Sequence, residues 1–298
     1  MTRPAPDIVA RVERLLGWTP DTWRPVQGGY TPTARYAVAN GARTGFVKVS
    51  TTPVTAAQIN REIVAYSGIA GRFVPRVLGG DPNPDQPILI IEDLSAATWP
   101  PPWNDRLVAQ VLEAMAEMHA TVTDLKHGGL LEGREAGWPT VAANPAPFLA
   151  LGHVSTGWLD RALPILIAAE RSCHLAGDAL THLDLRSDNL CITPEGVKFI
   201  DWAEACRSAA DIDLGFFLPS LAYENGPLPE AIQPDRPDIA ALVSGFFAAR
   251  AGLPDIPLSP FVRRVQREQL STALPWAIRA LDLPPADGPT PPHARNTA

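Results

Sequence analysis

The stretch Thr181-His182-Leu183-Asp184-Leu185-Arg186-Ser187-Asp188-Asn189, with Asp201 twelve residues beyond Asn189, narrows the possible folds of this chain more than any other. Between Asn189 and Asp201 the apolar runs Leu190-Cys191-Ile192 and Val197-Lys198-Phe199-Ile200 flank Thr193-Pro194-Glu195-Gly196. Pro and Gly in those places signal a turn, so the segment reads as a β-hairpin. A three-residue loop at 194–196 sets Asn189 opposite Asp201; a two-residue loop at Pro194-Glu195 sets Asp188 there instead. Either register brings an oxygen-bearing side chain beside the Asp201 carboxylate at the open end of the ribbon. Asp184 sits five residues before Asn189, on the loop that feeds the same end.

Hard oxygen donors in that number suit Mg²⁺, which keeps several waters and is completed by substrate phosphates. A carboxylate not needed by the metal can orient a hydroxyl and take its proton. That is the equipment of phosphoryl transfer: one Asp as base, one Asn and one Asp on the metal. His182-x-Asp184-x4-Asn189 also has the spacing of a protein-kinase catalytic loop, with Asp201 at the place of the metal-binding Asp.

These residues, with Ile200-Asp201-Trp202, resemble the aminoglycoside phosphotransferase family, small-molecule kinases related in fold to protein kinases. Leu183 stands where that family usually has Gly, and Arg186 where it usually has His. Protein kinases carry Lys at the second place, and Arg186 keeps a donor for phosphate oxygens. The resemblance implies an α+β, two-lobed protein-kinase-like fold: a β-rich nucleotide-binding lobe with one main helix over residues 1–93, and a larger, mainly helical catalytic and substrate-binding lobe over 94–298. It implies ATP and Mg²⁺ as cofactors and a small molecule bearing a hydroxyl as acceptor, an antibiotic such as an aminoglycoside among them. A kinase of a host metabolite (amino alcohol, sugar or nucleoside) and a nucleotide-binding pseudokinase are the alternatives. A protein kinase is disfavoured, because Asp201-Trp202-Ala203 replaces Asp-Phe-Gly and no Ala-Pro-Glu follows.

Composition agrees with a soluble enzyme. The 298 residues are 46% hydrophobic and 19% charged, enough for a packed core in two lobes. The net charge of −7 and the lack of a basic tract argue against nucleic acid and leave a cationic acceptor favoured. Cys173, Cys191 and Cys206 form no Cys-x-x-Cys pair, which argues against a zinc site or disulfide framework. No apolar run reaches membrane-spanning length and no signal-type apolar core opens the chain, so a cytoplasmic protein off the membrane is expected. Oligomeric state is left open.

In chain order, Ile8, Val9, Val12, Leu15 and Leu16 share a helical face that ends at Gly17. Strands are expected at 23–26, 33–39 and 44–49, the last two joined by Asn40-Gly41. Gly28 and Gly29 lie between the first two, where the resemblance places the nucleotide loop and backbone amides can approach phosphate oxygens. Lys48, in the third strand, takes the role of the phosphate-holding kinase lysine, paired with Glu62 on a helix over 55–70. Strands at 74–78 and 87–91 follow. The second runs into Glu92-Asp93-Leu94, the family's hinge, where the Glu92 carbonyl and Leu94 amide would bind adenine.

Asn104 caps a helix to His119, read as a structural histidine. Residues 124–156 look irregular; Glu132, Glu135, Trp138, His153 and Trp158 are weak acceptor-binding candidates from that region. Helices are expected at 158–170, 211–223, 237–251 and 260–282. Asp213 matches a buried family carboxylate that braces the catalytic loop. Glu224, Glu230, Asp235, Asp238, Glu268 and Asp282 are carboxylates available to a cationic acceptor, and from Leu283 onward a loosely held tail is expected.

Overall fold

The computed structural model describes residues 4–128 and 137–289. Glu132 and Glu135 lie outside the described residues. The chain opens with α1 (Pro6–Leu16), stopped by Gly17 at φ 70°. Five antiparallel strands follow, β1 (Thr22–Pro25), β2 (Ala34–Asn40), β3 (Arg43–Val49), β4 (Val77–Asp81) and β5 (Ile88–Ile91), in the order β1-β2-β3-β5-β4. Helix α2 (Pro53–Gly68) lies between β3 and β4, started by a capping box in which Thr52 and Thr55 satisfy each other's backbone N–H groups.

Strand alternation divides this sheet between two cores. Val38, Val47, Val49, Ile88 and Ile90 face one way and pack with Val12 of α1 in a small core. Leu89 and Ile91 face the other way and join α2 and the rest of the chain in the main core. On β2 and β3 that second face carries Arg35 and Lys48, directly opposed across the ladder. The pleat therefore delivers two cations to the underside of the sheet.

The fourth strand lies about three residues later than the sequence pattern indicates. Pro75 cannot donate to a ladder, and the strand passes through a bulge between Val77 and Gly79. Gly79 is needed where α1 presses on the sheet: a Cβ there would lie 2.9 Å from the Leu15 Cβ.

The remainder is mainly helical: α3 (Asp105–His119), α4 (Trp138–Ala143), α5 (Ala146–Leu149), α6 (Thr156–Ser172), α7 (Ala210–Tyr223), α8 (Pro229–Ile232), α9 (Pro237–Ala251) and α10 (Phe261–Ala280). Between α6 and α7 run β6 (Ala179–Thr181), β7 (Leu190–Thr193), β8 (Gly196–Phe199) and β9 (Cys206–Ser208), with β6 on β9 and β7 on β8. Among the weak acceptor candidates, Trp138 and Trp158 are core residues with no exposed surface to speak of, and His153 is buried away from the cleft.

The expected loose tail is instead docked as far as it is described. Leu283 is buried, Trp158 Nε1 donates to the Pro284 carbonyl at 2.8 Å, and Asp287 accepts both Ser155 N and Oγ at 2.7 Å. Ser155 is the N-cap of α6, so the tail completes that helix start. Composition hides this because its Pro and Ala residues fold no element of their own; they lie along one.

One buried acid belongs to the scaffold. Glu170 of α6 accepts Trp138 N at 2.6 Å, in space kept open by Gly245 of α9. Burial pushes its carboxyl up to about 7, against the pull of the Trp138 N–H and of Arg171 and Arg250. A carboxyl raised in the folded state stabilises fully below its ordinary value and loses that contribution as pH rises through about 7. Glu170→Gln keeps the acceptor and removes the charge, so its melting temperature should gain on the wild type between pH 5 and 8. Parallel melting curves across that range would refute the assignment.

Candidate active site

The hairpin settles which register the sequence left open. Thr193 pairs with Gly196 and Leu190 with Phe199, so the loop is Pro194-Glu195. The ladder stops at Leu190, and Ser187–Asn189 forms a 3-10 turn before it. That turn swings the Asp188 side chain onto Arg186 and buries Asn189, whose Nδ2 donates to the Asp184 carbonyl at 2.8 Å and to Asp184 Oδ2 at 3.2 Å. The Asn189 amide oxygen is left as the atom able to meet a cation. Ribbon register alone favours Asp188; the local turn favours Asn189.

The hairpin is fixed at both edges. Thr98 and Ile192 exchange two hydrogen bonds of 2.9 Å, and Phe199 N donates to the Phe73 carbonyl at 2.7 Å. Beyond it Asp201 takes φ 67°, the left-handed conformation, and Trp202 turns wholly into the core against Phe73 and His182.

The loop carrying Asp184 hangs from one carboxylate. Asp213, buried in the first turn of α7, accepts Leu183 N on Oδ1 at 2.7 Å and His182 N on Oδ2 at 3.0 Å, and His119 Nε2 lies 3.0 Å from that same Oδ2. Burial opposes the Asp213 charge, but His119 and the N–H donors hold its pKa below the ordinary carboxylate value. Leu183 stands at φ 59°, a conformation that costs a branched residue roughly 1–2 kcal/mol. The Gly usual in the resembling family suits this position, and here an apolar side chain buried in the core accompanies the strain. His182 Nε2 donates to the Ile200 carbonyl at 2.9 Å, and burial lowers its pKa, so the ring is neutral and ties the loop to the hairpin.

Above this floor, Lys48 Nζ donates to both Glu62 oxygens at 2.8 and 2.9 Å and lies 3.5 Å from Asp201 Oδ1. Burial opposes the lysine charge, but Asp201 and Glu62 raise its pKa overall. Burial pushes Glu62 up to about 6 against the pull of Lys48. Asp201 moves the other way: despite burial, Lys48 and Arg35 hold it below the usual carboxylate range.

Arg35 was not singled out in the sequence. Its Nη1 donates to the carbonyls of Gly28 at 2.9 Å and Thr33 at 3.0 Å, locking the loop that holds Gly28 (φ 130°) and Gly29 (φ 74°). A Cβ at Gly29 would collide with this guanidinium, which gives that glycine its reason. The signal available was spacing: Arg35 opposes Lys48 once the Asn40-Gly41 turn sets the register.

Glu92, Asp93 and Leu94 line the same cleft. The Glu92 side chain accepts Arg76 N at 3.0 Å, and the Leu94 carbonyl takes Ala97 N and Trp99 Nε1. Among the described residues, the Glu92 carbonyl and Leu94 amide have no protein partner.

Arg186 is more committed than its sequence reading implies. It pairs with Asp184 and Asp188 and lies over the Tyr30 ring, 5.2 Å from the centroid. Burial opposes its charge, yet the two carboxylates raise its pKa overall. Burial pushes Asp184 up to about 6, with Arg186 pulling it down. Behind the turn, Ser187 Oγ and Trp103 Nε1 both donate to Glu224.

None of the six carboxylates offered by the sequence for a cationic acceptor lines the cleft. Glu224 is held as above, Glu230 by Arg279, Asp238 by Arg236 and Glu268 by Arg264. The cleft measures about 850 Å³, near the top of the range for small-molecule sites.

The model of the phosphotransferase enzyme family matches residues 22–251. No curated protein sequence matches. Among solved structures, a thermostable mutant of aminoglycoside phosphotransferase APH(4)-Ia, in a ternary complex with ADP and hygromycin B, superposes with a TM-score of 0.59 at 13% identity, over 93% of this chain and 98% of that one. Choline kinase LicA from Streptococcus pneumoniae gives 0.53 at 12% identity, over 93% and 96%. At such identities these likenesses establish the two-lobed α+β kinase-like fold.

Asp213→Ala strands two buried N–H donors and leaves the Leu183 backbone unsupported. It should lower stability by about 3–5 kcal/mol in denaturant unfolding, the cost of breaking a buried charged network; a loss under about 1 kcal/mol would contradict the role. Because the Asp213 pKa is depressed, its advantage over Asp213→Asn should persist above the ordinary carboxylate value and fade only as pH falls below it.

Proposed function

Because this chain belongs to the phosphotransferase enzyme family, we propose that it transfers the γ-phosphoryl group of ATP to a hydroxyl of a small molecule. The observation that carries this reading is the convergence of Lys48, Glu62, Asp184, Asn189 and Asp201 on one cleft with the Gly28-Gly29 loop and the 92–94 segment. Residues 1–93 serve as the nucleotide-holding lobe and 94–298 as the catalytic and acceptor lobe. Adenine bonds to the Glu92 carbonyl and the Leu94 amide. Gly28 and Gly29 present backbone amides to the phosphates, Lys48 steadies them, and Glu62 holds Lys48 in place.

The donor set suits Mg²⁺: Asp201 is kept ionised by two neighbouring cations, and Asn189 has its amide oxygen to spare. When bound there, the ion neutralises phosphate charge and orients the transferring group. Asp184 accepts a hydrogen bond from the acceptor hydroxyl and takes its proton as the oxygen bonds to the γ-phosphorus and ADP leaves. Arg186 positions Asp184, and through it the hydroxyl; its spare N–H groups face the transferred charge.

The test is ATP consumption across a panel of hydroxyl-bearing compounds: aminoglycosides, macrolides, amino alcohols, sugars and nucleosides. Asp184→Asn should abolish any hit, lowering kcat about 10²–10⁴-fold while leaving nucleotide binding near normal. Asp201→Ala should weaken Mg-nucleotide binding at least about tenfold, or ~1.4 kcal/mol; unchanged affinity would sink the metal assignment. Arg35→Ala should raise the nucleotide KM about tenfold by releasing the glycine loop, the weight of one charge-assisted hydrogen bond. ATP binding without turnover on any acceptor would point to a nucleotide sensor.

A further inference from the structure

Resting on the kinase reading above, we propose that the acceptor has an apolar, uncharged body around its hydroxyl and is not a polycation. The cleft runs past Asp184 and Arg186 to a wall made by Phe216 of α7, Phe246 and Phe247 of α9, and Val262, Val265 and Gln269 of α10. Phe216 lies three residues beyond Asp213, one helical turn. The wall is therefore held by the same helix that suspends the Asp184 loop. The three phenyl rings meet edge to face with centroids 5.1 to 6.1 Å apart, so each fixes the next.

No carboxylate among the described residues lines this wall; the nearest on α10, Glu268, pairs with Arg264 at 3.7 Å. Those of the cleft lie on α2, the 92–94 segment, the 184–189 loop and the turn after β8, and Asp188 is taken by Arg186. Ammonium groups laid against this wall would surrender hydration without gaining counter-charges from it, a costly exchange. A single cation could use aromatic faces, but Tyr30, the aromatic ring nearest the reacting groups, already carries one. Arg186, which lines the cleft, lies over Tyr30, and a further positive charge there meets like charge.

One polar group interrupts the wall. Gln269 is 5% exposed, and its amide oxygen has no hydrogen-bond partner. A buried unsatisfied amide costs free energy unless an occupant completes it. It assigns to the acceptor a second polar group, a hydroxyl or an N–H, set away from the reacting hydroxyl on an otherwise apolar body. Apolar contact with the phenyl and valine side chains supplies affinity, and Gln269 supplies orientation.

The probe is N-phenyl-1-naphthylamine, a neutral apolar fluorophore, titrated into protein loaded with Mg²⁺ and a non-hydrolysable ATP analogue. Saturable binding in roughly the micromolar range is expected. Val265→Asp and, separately, Val262→Asp should each weaken it about tenfold or more. Both positions are half-buried, so a carboxylate there can reach solvent. Millimolar kanamycin, a polycation, should not displace the dye. Non-saturable binding, binding indifferent to both substitutions, or displacement by kanamycin well below millimolar would overturn the proposal. The shift in melting temperature caused by the nucleotide, read on the same samples, tests the kinase reading separately. Its absence defeats that reading, whereas a nucleotide shift without a dye site defeats only the apolar acceptor.

Discussion

A single buried carboxylate holds the site in shape. Asp213 sits at the start of α7 and accepts hydrogen bonds from two successive backbone N–H groups of the loop that presents Asp184. One of those residues, Leu183, has a backbone conformation that branched side chains avoid. Without an acceptor fixed beneath it, the loop would relax, and Asp184 and Asn189 would lose their common orientation. The His119 ring completes the network from α3, so three separate elements meet at one charge. A network of this kind is worth more whole than in parts, because each partner left alone is a buried polar group without a bond.

A second constraint comes from the pleat of the sheet. Period-two alternation sends Val47 and Val49 to the core under α1 and sends Lys48 to the other face. Arg35 follows by pairing across the β2–β3 ladder. Those two cations stand near Asp201 and keep it charged despite its burial. The electrostatics of the cleft thus depends on strand register, and a slip of one residue would exchange Lys48 for an apolar neighbour.

Much of this was legible in the residue order. The Asn40-Gly41 turn fixes one hairpin, Asn104 starts a helix as capping residues do, and Pro237 and Gly252 bracket α9. The spacing of His182, Asp184, Asn189 and Asp201 by itself points to phosphoryl transfer. Other features were not legible. Arg35 reads as an ordinary strand arginine until its cross-strand partner is known. Tail residues 283–288 look unstructured because their function is to cover the start of α6, a role that no local pattern records. The six helical carboxylates looked available to a cation because sequence does not say which face of a helix meets the cleft.

The sequence by itself determined the chemistry: hard oxygen donors and a basic carboxylate at kinase spacing, with a lysine and a glutamate on the elements before them. Those depend on residue type and short-range spacing, which a chain carries without folding. Only the tertiary structure decided which side chains wall the cleft. The Phe216, Phe246, Phe247 and Val265 side chains come from three helices, and their meeting point is set by packing between elements distant in sequence. Likewise, a short helical turn overrides the ribbon register, turning Asp188 onto Arg186 and Asn189 onto Asp184. Long-range packing and local backbone turns are decided by the free energy of the whole molecule, and a linear pattern does not contain them.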